Sequence, residues 1–203
     1  MSAEPTIFVV DDDEAVGRAL ATAGKLLGHP VRAFASAAEF LAAYDGRQPG
    51  CLVLDVRMPG MTGLELQRAL ADAGAPLPVV MVSGHADVRI AVEAMTLGAV
   101  TLLEKPFRLD ELLTHVRRAL DKGAADREAR RHAADASARL ATLTAKEREV
   151  LEMIAAGNTN RAMADALGVS VRAVEDRRAR LMRKVGASSV ADLVKLLTAS
   201  PRS

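Results

Sequence analysis

Five short, continuous apolar runs alternate with amphipathic stretches through the first 122 residues, and few architectures accommodate that pattern. The runs are Thr6–Val10, Val31–Phe34, Cys51–Leu54, Val79–Val82 and Thr101–Leu103. They are rich in β-branched residues, as parallel strands buried on both faces are. Segments with helical spacing fill the gaps, near Ala15–Leu27, Ala37–Tyr44, Gly63–Ala73, Asp87–Leu97 and Leu109–Lys122. Ser36-x-x-Glu39 and Thr62-x-x-Glu65 are capping boxes that mark two helix starts. Five β–α units predict an α/β doubly wound, five-stranded parallel sheet with helices on both faces.

Such a sheet uses little more than half of the 203 residues, which leaves room for a second, smaller domain. With four Phe, one Tyr and no Trp, both cores must be built from aliphatic side chains. No apolar run reaches the roughly 18 residues of a membrane span, and Met1–Pro5 is too short and polar for a signal peptide. Cys51, the single cysteine, opens an apolar run and reads as a small core residue. A reduced cytoplasm is the expected compartment, with no membrane contact. The charge is divided: residues 1–123 carry 12 basic and 16 acidic side chains, a balance of −4, whereas residues 140–203 carry 11 and 7, a balance of +4. That asymmetry directs the second half toward a polyanion.

Polar residues collect at the ends of the apolar runs. The first ends in Asp11, Asp12 and Asp13, the third in Asp55 and the fourth in Ser83, while the fifth leads to Lys105-Pro106. In a parallel sheet these ends share one edge, where open α/β folds bind ligands. Clustered carboxylates repel unless a cation lies between them, and hard oxygen donors with open positions suit Mg²⁺. Lys105 can hold an incoming phosphoryl group and Ser83 can donate a hydrogen bond to it. These are the parts for phosphoryl transfer to a carboxylate. An isolated Asp after a strand is an ordinary loop or cap residue, and Asp13 reads that way. The combined set at four strand ends does not.

Phe8-Val9-Val10-Asp11-Asp12-Asp13, Leu52-Val53-Leu54-Asp55-Val56-Arg57-Met58-Pro59-Gly60-Met61-Thr62-Gly63, Val80-Met81-Val82-Ser83-Gly84-His85 and Glu104-Lys105-Pro106-Phe107 together resemble the receiver-domain signature, over residues 5–122. The resemblance implies a flavodoxin-like receiver at residues 1–123, with Asp55 phosphorylated. It implies Mg²⁺ bound by Asp11, Asp12, Asp55 and the backbone carbonyl of Arg57. Ser83 and Lys105 would contact the phosphoryl oxygens, and the Lys105–Pro106 bond would be cis. One position departs from the pattern: Leu102 stands where the family often carries a rotating Tyr or Phe, the switch partner of Ser83.

Residues 124–139 are rich in Ala and Arg and read as a linker with good helix propensity, with Gly123 favouring a break before it. From Leu140 the pattern is helical throughout. Thr144-x-x-Glu147 opens a helix closed by Gly157. Asn160 is the expected cap of a short helix to Leu167, Ser170 that of a longer one to Val185, and Ser189-x-x-Asp192 opens the last. The middle pair forms a helix-turn-helix. On the longer helix Val171, Val174, Leu181 and Val185 share a side, while Arg172, Asp176, Ala179, Arg180 and Arg183 face away, with Glu175 at the margin. Arg178 falls near the apolar edge and needs a partner. Candidate DNA contacts are Thr159, Asn160, Arg172, Glu175, Asp176, Ala179, Arg180, Arg183 and Lys184.

Leu143-Thr144-Ala145-Lys146-Glu147-Arg148-Glu149-Val150-Leu151, Ala164–Ser170 and Val174-Glu175 followed by Arg178–Lys184 resemble the four-helix LuxR/FixJ/NarL effector, and with this receiver the chain is most similar to the FixJ branch. Asp176-Arg177 replaces the apolar residue and His common there. The resemblance implies a phosphorylation-controlled transcription factor rather than an enzyme. Its expected partners are a sensor histidine kinase, double-stranded promoter DNA, RNA polymerase, and a second copy docked through the fourth-helix/fifth-strand face. A phosphatase would need a second carboxylate two residues after the nucleophile, where Arg57 stands. The alternative is a constitutive DNA-binding protein whose receiver is a phosphate-independent dimerisation module.

Overall fold

Strand β1 (Thr6–Val10) is buried along its whole length, as an interior strand covered on both faces must be. The computed structural model, which describes residues 4–75, 77–84 and 87–199, places it between β2 (Val31–Phe34) and β3 (Gly50–Asp55). With β4 (Val79–Ser83) and β5 (Thr101–Glu104) these strands form one parallel sheet in the order β2-β1-β3-β4-β5. Met1–Ala3, where the sequence was read for a leader, and His85 of the fourth-strand motif lie outside the described residues.

Successive residues of β1 point to opposite faces, so each strand feeds two cores. Phe8 and Val10 join Leu52 and Leu54, covered by Phe40 of α2 (Ala37–Ala43), Leu66 and Leu70 of α3 (Gly63–Asp72) and Ala94 of α4 (Val88–Thr96). Ile7 and Val9 join Val53, Val80 and Val82, covered by Leu20 of α1 (Glu14–Leu27) and Leu112, Val116 and Ala119 of α5 (Leu109–Ala141). Four of the five aromatic residues, Phe8, Phe34, Phe40 and Tyr44, pack edge-on or stacked at centroid distances of 5.1–5.7 Å. Cys51 is buried, and burial pushes its thiol up to about 12, far from reactive.

The helix ends differ from the sequence reading where a residue caps rather than continues. Tyr44 is the C-cap of α2, and Asp87 is the N-cap of α4, its carboxylate accepting from the amides of Arg89 and Ile90. Gly123 does not break a helix. It is buried inside α5, and a Cβ there would meet the Gly50 carbonyl at 3.0 Å and Pro78 at 3.3 Å. Close approach of α5 to the sheet, not a chain break, explains that glycine.

Residues 1–126 and 127–203 are separate compact units. In the second, α6 (Ala145–Ala155), α7 (Asn160–Leu167), α8 (Val171–Val185) and α9 (Val190–Ala199) enclose Leu143, Val150, Leu151, Ile154, Met163, Val174, Leu181, Val185 and Leu193. Their starts are fixed by hydroxyls: Thr144, Thr159 and Ser170 each accept from the amide three residues on. Gly168 and Gly186 stop α7 and α8 in the left-handed conformation, at φ 63° and 67°. The cap of α7 is therefore Thr159, not Asn160; the hydroxyl takes the amide of Ala162 and leaves the Asn160 side chain for another partner. Among the described residues, no helix is long and apolar enough to cross a membrane.

Candidate functional site

The parallel order lays the C-terminal ends of β1, β3, β4 and β5 side by side. Asp11 follows β1, Asp55 and Ser83 are the last residues of β3 and β4, and Lys105 follows β5. The structure brings all of them together. One carboxylate oxygen from each of Asp11, Asp12 and Asp55 lies within 4.8 Å of the others. Asp11 and Asp55 are each only 5% exposed, whereas Asp12 is open to solvent. The Lys105 Nζ donates to Asp11 Oδ2 at 2.7 Å and stands 3.1 Å from Asp55 Oδ1.

Backbone amides hold the remaining oxygens. Asp11 Oδ1 accepts from the Asp13 N–H at 2.9 Å, and Asp55 Oδ2 from the Arg57 N–H at 3.1 Å. The Lys105 N–H donates to the Ser83 carbonyl at 2.8 Å, which anchors the lysine-bearing turn to β4, and the Lys105–Pro106 bond is cis. Ser83 is fully buried and the Arg57 side chain exposed. Leu102 is half-buried on β5 and packs against the core beneath α2, α3 and α4.

Burial raises the pKa of Asp55 above the ordinary carboxylate value; the Lys105 ammonium and the Arg57 N–H oppose the shift, and Asp11 adds to it. Burial pulls Lys105 toward neutrality, but its bonds to Asp11 and Asp55 outweigh that and raise its pKa. Two crowded carboxylates thus share one ammonium, with a third, solvated carboxylate alongside. Three converging hard oxygens with water access on one side fit a divalent cation that keeps part of its hydration shell. Gly63 sets the approach of α3 to this centre. A Cβ there would lie 2.2 Å from the Asp55 carbonyl oxygen, so Gly63→Ala is expected to cost about 1–3 kcal/mol in urea unfolding by forcing α3 and β3 apart.

In the second unit, α8 turns Val174, Leu181 and Val185 inward and leaves Arg172, Glu175, Asp176, Ala179, Arg180, Arg183 and Lys184 exposed. Two of the expected contacts, Asn160 and Lys184, are held by side chains of a neighbouring helix. Asn160 Oδ1 accepts from the Arg178 guanidinium, which supplies the partner Arg178 needed and clamps α7 to α8. The Lys184 Nζ bonds Glu147 Oε2 at 2.7 Å. Glu147 read in sequence only as half of a capping box; its second role joins α6 to α8 across 37 residues, a pairing no local signal announces.

Lys184 first, with the Thr144 amide, lowers the Glu147 carboxyl to about 2 from 4.5. A depressed carboxylate stabilises the fold above its unfolded value and loses that contribution as pH falls through its folded one. The thermal midpoint of Glu147→Gln is therefore expected to vary less between pH 4.5 and about pH 2 than that of the unsubstituted chain.

The "Response regulator receiver domain" family model matches residues 7–117, and that of "Bacterial regulatory proteins, luxR family" matches residues 141–197. Fold and site thus define a response regulator: a receiver joined to a LuxR-type DNA-binding domain, the plan of a transcription factor. The transcriptional regulatory protein FixJ of Bradyrhizobium diazoefficiens is 39% identical over 97% of this chain and 96% of its own. The response regulator protein TmoT of Ectopseudomonas mendocina is 38% identical over 95% and 88%. The solved structure of the response regulator StyR, 37% identical, covers 97% of this chain and 99% of its own with a TM-score of 0.84. The chain belongs to the FixJ-like response regulators.

Proposed function

We propose that residues 1–123 receive a phosphoryl group on Asp55 and that residues 140–203 bind promoter DNA in response, with residues 124–139 as the helical connection. The donor is a phosphohistidine of a sensor kinase: its N–P bond breaks as an O–P bond forms at the Asp55 carboxylate. What supports this above all is the convergence of Asp11, Asp12 and Asp55 oxygens on one sheet edge with Lys105 between two of them. Asp11, Asp12, Asp55 and the Arg57 carbonyl would hold Mg²⁺, which supplies charge neutralisation at the transferred group. Lys105 holds phosphoryl oxygens by charge, and Ser83 donates to them. The protein acts in the cytoplasm as a regulator that recruits or blocks RNA polymerase, not as an enzyme on a separate substrate.

Phosphorylation acts through dimerisation on the α4–β5 face. Val88, Val92 and Met95, spaced to share one side of α4, are 79%, 60% and 51% exposed, an apolar ridge suited to a second copy. Leu102 lies on β5 of this region. It has no ring to bury, so its positions differ less in free energy than those of an aromatic switch, and the phosphoryl group shifts the equilibrium by a smaller factor. Sedimentation with and without acetyl phosphate tests this: the unmodified chain is expected to show a measurable dimer fraction that phosphorylation raises, and Leu102→Tyr to widen the gap. A dimer indifferent to acetyl phosphate would instead favour the receiver as a phosphate-independent dimerisation module.

A further inference from the structure

The outward face of α8 is cationic at its flanks and acidic at its centre. At about 100° per residue, Asp176 lies roughly opposite the buried side made by Val174, Leu181 and Val185. Arg172, Arg180 and Arg183 fall within roughly 40° of it, and Ala179, one turn on, adds no bulk. Arg180 stands at the favourable i+4 position for an ion pair with Asp176. Instead its Nε donates to the Asp176 backbone carbonyl at 3.4 Å, and the Nε of Arg183 to that of Ala179 at 3.4 Å. The Asp176 carboxylate, exposed, makes no hydrogen bond or ion pair among the described residues.

A bare carboxylate at the crest of a DNA-facing helix repels phosphate and every base edge made of acceptors. Guanine shows N7 and O6 in the major groove and thymine shows O4, so both are disfavoured. Adenine offers its N6 donor beside the N7 lone pair, which repels a second carboxylate oxygen. Cytosine alone presents an amine, N4, with no acceptor on its own major-groove edge; the O6 beside it belongs to the paired guanine.

We propose that Asp176 is a specificity-determining residue that reads a cytosine N4 amine in the major groove, while Arg172, Arg180 and Arg183 carry the adjoining phosphates. This rests on the DNA-binding reading of α8 and names what that face selects. Its negative charge works in both directions, attracting one base and penalising the others along with non-specific duplex.

Selection from a random duplex library by the full chain with acetyl phosphate tests it, with Asp176→Ala and Asp176→Asn in parallel. The wild type is expected to enrich a C·G pair at one position of each half-site, and changing that pair to T·A to weaken binding about 10- to 100-fold. Asp176→Ala should lose preference at that position alone, keep the others, and bind non-specific duplex at least as well. Asp176→Asn should move the preference toward adenine, whose N6 and N7 an amide can bond together. An Asp176→Ala protein that binds all duplexes more tightly with every base preference intact overturns the assignment, leaving only a charge effect. A wild type that binds no duplex overturns the DNA reading of α8 and the assignment with it.

Discussion

One phosphoryl group per chain is expected after incubation with acetyl phosphate and Mg²⁺, and none on the Asp55→Asn variant. The reason lies in the charge arrangement: Asp55 is buried as the last residue of β3, within reach of Lys105 and held by the Arg57 amide, whereas Asp12 is open to solvent. Asp11 is equally buried, but both its oxygens are held more closely, at 2.7 Å by Lys105 and 2.9 Å by the Asp13 amide, against 3.1 Å for each of the corresponding contacts of Asp55. Intact-mass measurement should show the addition disappear with a chelator, because the carboxylates repel an incoming phosphate that no divalent cation screens. Lys105→Ala is expected to slow labelling on the order of 10²-fold, the usual loss when one preorganised charge is removed from a transferring group. Label persisting on Asp55→Asn would move the acceptor elsewhere.

The second large effect is electrostatic. Arg172, Arg180 and Arg183 stand exposed on α8, so a dimer offers about six phosphate contacts and its affinity for duplex DNA should fall on the order of 10³-fold between about 50 and 200 mM salt. Arg183→Ala, removing one contact from each protomer, should flatten the log–log salt dependence by about 2 and weaken all sequences alike. Lys184→Ala should change the slope less, since its ammonium is already held by Glu147. Fluorescence anisotropy across a salt series measures both. A slope unchanged by Arg183→Ala would remove α8 from the phosphate interface.

The sheet and the acidic edge were legible in the sequence because both follow from period and position. Buried parallel strands write themselves as continuous apolar runs, and chain direction alone puts Asp11, Asp55, Ser83 and Lys105 on a common edge. Helix starts were legible at Thr62, Thr144 and Ser170, where a hydroxyl stands three residues before its amide partner and no second capping residue competes beside it. What could not be read depended on tertiary neighbours. Gly123 resembles a breaker until the Gly50 carbonyl is seen 3.0 Å from where its Cβ would be. Thr159 and Asn160 are both good caps; the Thr159 hydroxyl takes the role, and the Asn160 side chain accepts from Arg178, eighteen residues on. The partner of Lys184 lies on α6 and leaves no trace in local spacing.

The two units also differ in how far along the chain their contacts reach, and this divides the time needed to fold. In the sheet, Thr6 pairs with Gly50 and Leu52 with Val79, so long loops must close before any strand is covered. The helices of the second unit are started and stopped by residues three or four positions away, and α7 packs on α8 after a turn of three residues. Local contacts form in microseconds to milliseconds, whereas parallel pairing at this separation is slower. During that wait the apolar runs of β1, β3 and β4 are exposed together, and the rate at which the whole chain becomes safe from aggregation is set by the sheet alone.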